Sequence, residues 1–270
     1  MSDTPMLKNT FLNSLSNTLG FNKIFEKRLE SKMLREPLPT HIGIILDGNR
    51  RWAKYNLFGS DLGHNRGADK AEELLNWIHD IGIKITTVYV LSNENLSRKD
   101  DELSNIYNLL YDKLVNLRDD SRIHKRRMKI KAIGNIELLP KNLKQILHVL
   151  EEETSTYDSM FLNIAVAYGG QQELLEAIKK IAKKIRSGEI QIDEINEKII
   201  ESYLYTSHLP QPNPDLILRT SGEKRLSGFL LWQSAYSELI FVDIFWPEFR
   251  KIDFIRAILT YQNRIRRFGK

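Results

Sequence analysis

The chain has 270 residues, a net charge of +5 and a hydrophobic fraction of 41%, which suits a globular protein of one large domain or two small ones. It contains no cysteine, so disulfides and thiolate metal sites are excluded. Because no apolar stretch approaches the ~20 residues of a membrane span and the N-terminus lacks a signal-peptide core, we expect a cytoplasmic protein. The mildly basic charge is compatible with nucleic acid, anionic lipid or phosphorylated small molecules as ligands.

Residues 1–36 are a segment apart from the rest of the chain. Apolar residues recur in them at helical spacing in two groups, Phe11, Leu12, Leu15, Leu19 and Ile24, Phe25, Leu29, Met33. This spacing predicts an extension of two short amphipathic helices, the second rich in lysine and arginine. The helices either pack on the protein or fray, or the basic one rests on a membrane surface as a peripheral contact. Pro37 and Pro39 close the extension, and residues 37–270 are expected to form one domain.

Predicted strands and helices alternate along the remainder of the chain. Six apolar or β-branched runs predict strands at residues 42–46, 86–91, 128–133, 161–167, 216–218 and 240–244. Helical periodicity predicts helices at residues 68–81, 101–122, 143–150, 174–185, 192–204 and 252–267. Residues 55–61 are predicted to be a loop that leads through Gly63 and His64 into the first of these helices. The alternation predicts an α/β fold, a central, mostly parallel six-stranded sheet covered by helices on both faces.

The stretch from residue 42 to residue 54 reads I-G-I-I-L-D-G-N-R-R-W-A-K. Its apolar start suits a strand buried on both faces of a parallel sheet. Asp47 follows at once, and Gly48 and Asn49 tolerate the tight turn that leaves a strand. Arg50 and Arg51 come next, at the carboxyl end of the strand, where open α/β sheets bind their ligands. One carboxylate beside two arginines indicates a polyanion held by guanidinium groups and through a metal, with a surface ion pair as the alternative.

Polar side chains also follow the second and fifth predicted strands. Ser92, Glu94, Asn95 and Arg98 follow the second strand, and residues 219–227 follow the fifth. Residues 219–227 combine two arginines, three hydroxyl side chains and a glycine, which suits a diphosphate cradle, whereas the alternative is a solvated loop. The chain contains neither the P-loop motif nor G-x-G-x-x-G. The scattered histidines have no metal-ligand spacing and are interpreted as surface or structural residues.

These motifs together resemble the signature of the cis-prenyltransferases, the undecaprenyl and dehydrodolichyl diphosphate synthases. The resemblance begins at residues 41–54 and covers about residues 40–270 in order. Its other segments are residues 63–64, 92–95, 163–170, 215–227, 229–238, 246–247 and 267–269. The D-D-x-x-D motif of the trans-prenyltransferases is missing. The resemblance implies that residues 37–270 are a catalytic domain whose sheet and helices enclose a hydrophobic tunnel.

The resemblance assigns a role to each motif residue. It implies that Asp47 and Asn95 are catalytic and that Asp47 and Glu238 bind Mg²⁺. Because an amide is a poor base, we expect Asn95 to orient the substrate while Asp47 or the diphosphate takes the proton. The residues implied to bind the allylic diphosphate substrate are Gly48, Asn49, Arg50, Arg51, Trp52 and His64. Those implied to bind isopentenyl diphosphate are Ser92, Asn93, Glu94, Leu96, Arg98, Arg219, Arg225, Leu226 and Ser227.

The implied reaction is Mg²⁺-dependent chain elongation. Isopentenyl diphosphate would add repeatedly to an allylic primer, geranylgeranyl or farnesyl diphosphate, to give a long Z-polyprenyl diphosphate of the undecaprenyl kind, the precursor of a glycosyl carrier lipid. Candidates for the tunnel wall are Val90, Leu91, Leu109, Leu110, Leu114, Val115, Ile130 and Ile133, with plain core as the alternative for each. Because the family is dimeric, we expect a homodimer in which residues 267–269 reach the partner's active site.

The sequence departs from the family pattern in several places. Many members carry a basic residue a few positions before the Gly-His pair, where this chain has residues 58–61, so one diphosphate contact is either lost, replaced at Ser60 or supplied by Arg50. Leu96 replaces a common aromatic residue, and Gln171 replaces a common arginine. Arg50 itself, where bacterial members often have glycine, resembles archaeal and eukaryotic members. The pattern therefore favours an archaeal-like enzyme, for which geranylgeranyl diphosphate is a candidate primer, and the choice between it and farnesyl diphosphate stays open.

Two rival functions make different predictions. A non-catalytic subunit of a heteromeric prenyltransferase would keep the fold and the tail motif but lose the catalytic loop. That loop is intact here, with Asp47, Arg50 and Arg51 in place. A nucleic-acid-binding protein would interleave aromatic and basic residues along a surface, and the sequence contains no such run. We therefore expect no nucleic-acid partner.

Overall fold

A computed structural model describes residues 21–264. Its strands are β1 (His41–Ile45), β2 (Ile85–Ser92), β3 (Met128–Ile133), β4 (Met160–Tyr168), β5 (Leu216–Arg219) and β6 (Glu238–Phe241). They form one six-stranded sheet in the order β3-β4-β2-β1-β5-β6, and every neighbouring pair is parallel. The predicted α/β fold with a six-stranded parallel sheet is therefore confirmed.

Helices connect the strands and flank the sheet. They are α1 (Phe21–Met33), α2 (Asn49–Tyr55), α3 (Ser60–Asp80), α4 (Asp100–Asp119), α5 (Ser121–Lys125), α6 (Lys141–Glu153), α7 (Gly170–Arg186), α8 (Glu197–Ser202) and α9 (Lys251–Gln262). Short 3-10 turns add Asn93–Ser97, Ile136–Leu138, Ile192–Glu194 and Trp246–Glu248. None of the helices between residues 21 and 264 has the length and hydropathy that crossing a bilayer requires.

Strand β1 lies in the middle of the sheet, and all five of its residues are buried. Its apolar run therefore meets core on both faces, as the sequence predicts. Gly43 is required by close packing, because a Cβ atom there would lie 2.5 Å from the Cδ1 atom of Ile217 and 3.0 Å from the ring of Phe229. A larger residue at position 43 would push the neighbouring strand and the loop above it away from β1.

Apolar clusters cover both faces of the sheet. One cluster joins β2, β3 and β4 to helices α4 and α6 and includes Leu110, Leu114, Ile130 and Leu147. The other joins strands β1 through β5 to the segment after residue 227 and includes Tyr89, Tyr168, Ile217 and Phe229. Tyr89 stacks on Phe229 with ring centroids 4.7 Å apart. Packing in these two clusters fixes the positions of the strand ends, and so fixes where the loops at the carboxyl edge of the sheet begin.

Several predicted boundaries are wrong, and each has a local physical cause. Helix α2 starts directly at Asn49 because Gly48, with φ of 113°, completes the turn in a single residue. The predicted loop therefore shrinks to residues 56–59, and Gly63 lies inside α3, where a Cβ atom would come 2.3 Å from the Asn49 carbonyl oxygen. The helix predicted over residues 101–122 breaks at Asp120, whose carboxylate accepts the Arg122 amide at 2.9 Å and starts α5. The helix predicted over residues 192–204 is only a 3-10 turn followed by α8.

The described chain divides into two units, residues 39–249 and residues 21–38 with 250–264. All six strands belong to the first unit. In the second unit α1 packs on α9, where Lys251 Nζ lies 2.8 Å from Glu30 Oε1 and Gln262 Nε2 donates to the Met33 carbonyl at 2.9 Å. The tail helix therefore groups with the N-terminal extension. The predicted helix around residues 11–19 and the tail motif at residues 267–269 lie outside the described residues.

The buried imidazole of His41 makes the stability of the fold depend on pH. Its Nδ1 lies 3.0 Å from the Gln211 carbonyl oxygen and its Nε2 lies 2.8 Å from Thr87 Oγ1. Burial lowers the pKa of His41 from 6.5 to about 4. Between these values the unfolded chain binds a proton that the folded chain does not, so stability is full above pH 6.5 and is lost as the pH falls.

We expect this effect of His41 to lower the free energy of unfolding by about 2 kcal/mol between pH 7 and pH 5. Urea unfolding at both pH values measures it, with His41→Gln as the comparison because glutamine has no titrating ring. The variant is expected to lose about 2 kcal/mol less than the parent over the same pH interval. An identical loss in both proteins would show that His41 does not carry the effect.

Candidate active site

Asp47 lies two residues beyond β1, at the carboxyl edge of the sheet, and is held on three sides. Its Oδ2 accepts from Arg219 Nη2 at 2.7 Å and its Oδ1 accepts from Arg51 Nη2 at 2.9 Å. Its backbone carbonyl accepts from Thr220 Oγ1 at 2.7 Å. The register of β1 with β5, which sets Ile45 opposite Arg219, brings these groups together. The carboxylate is therefore oriented before any ligand arrives.

Asp47 remains ionised at neutral pH. Partial burial would raise the pKa of its carboxyl, but the hydrogen bonds from Arg219 and Arg51 outweigh burial and hold the pKa below the usual value. The guanidinium of Arg219 is almost fully buried, with 5% of its side chain exposed. A buried cation of this kind needs a permanent anionic partner, and Asp47 supplies it.

The segment after β5 wraps around Arg219. Arg219 Nη1 donates to Ser227 Oγ at 2.7 Å and also to the Arg225 carbonyl oxygen. Ser221 and Ser227 both have positive φ, 75° and 50°, a conformation that is costly for a serine and is typical of functional loops. Ser221 Oγ accepts from Arg51 Nη2 at 2.6 Å. The predicted cradle is thus a curled loop centred on one buried guanidinium.

A second group of site residues gathers around Glu102, in the first turn of α4. Its Oε1 accepts from Arg98 Nη1 at 2.9 Å and lies 3.5 Å from His64 Nε2 and 3.9 Å from Arg50 Nη1. Burial and the nearby charge of Arg98 lower the pKa of His64, although Glu102 opposes the change, so the ring is neutral at pH 7. Two guanidinium groups and one neutral imidazole therefore surround a single carboxylate.

Ser92 and Asn95 form a reciprocal cap on the turn that follows β2. Ser92 Oγ accepts from the Asn95 amide at 3.2 Å, and Asn95 Oδ1 accepts from the Ser92 amide at 3.3 Å. Asn93 is turned toward Gly169, where a Cβ atom would lie 2.9 Å from Asn93 Nδ2. Glu94 is exposed. The Asn95 amide is thus locked to the backbone, which suits an orienting residue better than a proton acceptor.

The remaining predicted substrate residues lie around these groups. Trp52 Nε1 donates to Glu248 Oε1 at 3.1 Å, and its ring lies 5.7 Å from that of Phe58. Leu96 packs against the apolar cluster of β2, β3 and β4, and Leu226 packs against the cluster of β1 and β5. The Arg225 side chain is 61% exposed and is paired with Glu223. These four residues lie at the rim of the site.

Buried polar atoms without a hydrogen-bond partner are concentrated at the predicted site. Among the described residues the atoms in this class are Asn49 Oδ1, His64 Nε2, Asn93 Oδ1, Arg98 Nε, Arg219 Nε, Gln233 Oε1 and Gln262 Oε1. Five of these seven atoms belong to residues predicted to bind substrate. Because buried polar groups are normally satisfied, such a cluster indicates a place where a polar ligand completes the hydrogen bonds.

An apolar cavity of about 480 Å³ starts at this site and lies between α3, α4 and the sheet. Leu46, Asn49 and His64 line it at the carboxyl edge, and Met128 and Leu162 line it lower in the sheet. Of the predicted wall residues Val90, Leu109, Leu110 and Leu114 line the cavity, whereas Leu91, Val115, Ile130 and Ile133 do not. These last four residues pack in the apolar clusters instead, in agreement with the alternative prediction that they are core residues.

The structure does not bring the two predicted metal carboxylates together within one chain. Glu238 begins β6 opposite Leu216, at the amino edge of the sheet, whereas Asp47 follows the last residue of β1. At the rise of about 3.3 Å per strand residue, Glu238 and Asp47 are therefore roughly 10 Å or more apart along the strand direction. Residues 21–264 contain no group of three or more His, Asp or Glu side chains that could hold a metal.

One carboxylate beside the predicted diphosphate cradle still fits Mg²⁺. This ion usually takes one or two carboxylates and fills its other positions with water and substrate phosphate oxygens. Asp47, beside the unsatisfied donors of the cradle, would hold the ion together with a bound diphosphate. The ion supplies Lewis-acid polarisation of the phosphate oxygens when it is bound.

Glu102, Glu223 and Ser221 are site residues to which the sequence motifs assign no role. Glu223 Oε1 accepts from Arg51 Nη1 at 2.6 Å, and its other oxygen pairs with Arg225. For Glu102 a signal exists, since it follows Arg98 by four residues, the spacing of a helical ion pair. The contacts of Glu223 and Ser221 with Arg51 join residues 170 or more positions apart, so local spacing could not indicate them.

Comparison with known proteins agrees with this geometry. The family model described as putative undecaprenyl diphosphate synthase matches residues 45–269. A protein of Methanocaldococcus jannaschii is 49% identical over 262 residues, and the match covers 96% of this chain and 92% of the relative. A protein of Picrophilus torridus is 49% identical over 249 residues, and the match covers 92% of this chain and 97% of the relative. Both are described as tritrans,polycis-undecaprenyl-diphosphate synthase, specific for geranylgeranyl diphosphate.

Two solved structures share the fold. Lavandulyl diphosphate synthase from Lavandula x intermedia, solved in complex with dimethylallyl diphosphate, superposes with a TM-score of 0.83 at 32% identity, covering 86% of this chain and 99% of that chain. A probable undecaprenyl diphosphate synthase from Campylobacter jejuni gives a TM-score of 0.69 at 29% identity, covering 87% and 99%. The likeness therefore extends over almost the whole of both solved chains.

Proposed function

Because the chain belongs to the undecaprenyl diphosphate synthase family and is a prenyltransferase, we propose that it adds isopentenyl diphosphate units in cis to geranylgeranyl diphosphate. The observation that supports this proposal best is that a polar site and an apolar cavity adjoin each other. Asn49 and His64, whose buried polar atoms have no hydrogen-bond partner, line the end of the apolar cavity at which Leu46, the residue before Asp47, also lies. A prenyl diphosphate has the same two parts, a polyanionic head and an apolar tail.

The turn after β1 is suited to stabilise a departing allylic diphosphate. Arg51, which is held by Asp47, offers fixed, directional donors to phosphate oxygens, and Arg219 on the other oxygen of Asp47 is left for the second substrate. Negative charge grows on the diphosphate as the allylic carbon–oxygen bond breaks, so donors that are already in place favour the transition state. The neutral ring of His64 and the guanidinium of Arg98 would complete the polar end.

The second substrate would lie between the cap after β2 and the loop after β5. Ser92 and Asn95 form the first wall, and Arg219, Arg225 and Ser227 form the second. The double bond of isopentenyl diphosphate would attack the allylic carbon, and a proton would then leave. Because Asn95 is held to the Ser92 backbone, we assign it to orientation and assign proton removal to Asp47 or the diphosphate.

We further propose that the active form is a homodimer that uses Mg²⁺. Asp47 is the metal carboxylate that this chain offers at the carboxyl edge. Glu238 could share that ion only if it came from a second copy, so its predicted metal role depends on the dimer. The product is proposed to be a long Z-polyprenyl diphosphate of undecaprenyl length that serves as the precursor of a glycosyl carrier lipid.

Primer choice tests the proposed substrate. With labelled isopentenyl diphosphate and Mg²⁺, kcat/KM is expected to be at least about tenfold higher with geranylgeranyl than with farnesyl diphosphate, since the added isoprene unit fills more of the apolar cavity. Initial rates of label incorporation over a range of primer concentrations measure the ratio. A preference for farnesyl diphosphate would contradict the primer assignment and leave the elongation chemistry in place.

A further inference from the structure

We propose that the loop between α2 and α3 docks the enzyme on an anionic lipid bilayer. The docking surface, called the apolar loop patch below, consists of Tyr55, Leu57, Phe58 and Leu62, whose exposed fractions are 67%, 94%, 49% and 39%. They lie within eight consecutive residues at the tip of one connection. Large apolar side chains gathered and exposed in this way indicate a surface that contacts something outside the chain.

Leu57 at the tip is unfavourable for the isolated protein in two ways. It has φ of 59°, a left-handed conformation that costs a side chain with a Cβ atom about 1 kcal/mol. It is also 94% exposed, so its side chain gains almost nothing from packing within the fold. Glycine at this position would adopt the positive φ without steric cost and would expose no apolar side chain. The presence of leucine is therefore explained by burial outside the chain.

Charge and size favour a bilayer over a protein partner. Residues 49–62 contain three basic residues, Arg50, Arg51 and Lys54, and one acidic residue, Asp61. Basic side chains beside a small apolar insertion are typical of surfaces that bind anionic lipid. Tyr55 has the amphipathic ring that favours the membrane interface. A stable protein interface, in contrast, buries about 800 Å² on each partner, far more than a patch of four side chains offers.

The patch is close to the substrate cradle. Helix α2 has seven residues and is therefore about 10 Å long; its first turn carries Arg50 and Arg51, and its end leads to Leu57. Docking by this loop would bring the mouth of the site to the lipid surface. If the proposed function holds, this is where prenyl diphosphates, with their apolar tails, partition. The lipid-binding property itself does not depend on that function.

The absence of cysteine allows a direct test in the full-length protein. Leu57→Cys is labelled with an environment-sensitive fluorophore, and vesicles of phosphatidylcholine and phosphatidylglycerol are added. A blue shift of the emission is expected, and it should weaken with pure phosphatidylcholine. The matched control is Leu138→Cys, which labels a leucine that is 55% exposed outside the patch; it should show no shift. Equal responses at both positions, or none at position 57, would overturn the proposal.

Leu57→Gly provides the second arm of the test. Vesicle flotation is expected to show about tenfold weaker partitioning than the parent, because one buried leucine side chain is lost from the lipid contact. Thermal stability should be equal or higher, since glycine accepts the positive φ. Elongation activity in detergent, which tests the proposed function separately, should not change. Unaltered flotation, or a change in the oligomeric state by light scattering, would overturn lipid docking by the patch.

Discussion

Asp47→Asn is expected to lower kcat by about 10³-fold in the elongation assay. Asparagine keeps the size of the side chain and one acceptor oxygen, but it loses the negative charge between Arg51 and Arg219. The two guanidinium groups then lose the partner that orients them, and the carboxylate proposed to hold Mg²⁺ is removed. The loss should fall on kcat more than on the KM of either substrate, because the charge acts mainly as the diphosphate departs.

Asp158→Asn is the matched control for this substitution. Asp158 also pairs with an arginine, Arg127, but on an exposed surface outside the site, with 73% of its side chain accessible. Its removal should leave kcat within about twofold of the parent, since exposed ion pairs contribute little. Circular dichroism and thermal unfolding verify that both variants are folded. Near-normal turnover by a folded Asp47→Asn protein would refute the assignment of the site.

Leu110→Trp is expected to move the main product to shorter chains by one or more isoprene units. Leu110 lies on α4 and lines the apolar cavity, so an indole ring there would occupy space that the growing tail needs. Initial rates of the first condensation should change little, because the cradle is untouched. Separation of the dephosphorylated products by reversed-phase chromatography measures the distribution.

Val115→Trp serves as the control for the cavity. Val115 lies on the same helix and packs against the same apolar cluster, but it does not line the cavity. Overpacking there can cost about 1–3 kcal/mol of stability, yet the product length should stay the same. If both variants shortened the product equally, a general loss of rigidity would explain the effect. If neither did, the tail would have to lie elsewhere.

Those parts of the fold that depend on local pattern could be predicted from the sequence. The apolar run of β1 is predicted correctly because burial on two faces requires a distinctive composition. The polar segment after β5 lies at the predicted edge of the sheet, and its role as a diphosphate cradle stays a prediction. The position of Asp47 beside Arg219 also follows, since parallel strands bring their carboxyl ends to one edge. In each case a few neighbouring residues contain the information.

Features that depend on register and on distant contacts could not be predicted in this way. The strand predicted over residues 240–244 is displaced to Glu238–Phe241, although Glu238 lies at the amino end of this strand with either boundary. The short apolar run did not determine where pairing with β5 begins. The four-residue spacing indicates the pair of Arg98 and Glu102. The contacts of Glu102 with Arg50 on α2 and His64 on α3 join separate helices, and only the packing of these helices reveals them.

The most direct test of the central claim is the product formed by the purified protein from isopentenyl and geranylgeranyl diphosphate with Mg²⁺. Mass spectrometry would identify each chain length, and ¹³C NMR would give the geometry of the new double bonds. We predict a series of products that differ by one isoprene unit, with cis geometry at every added unit, and no products when EDTA is present. A single condensation product, trans double bonds, or equal synthesis in EDTA would contradict cis elongation at the Asp47 site.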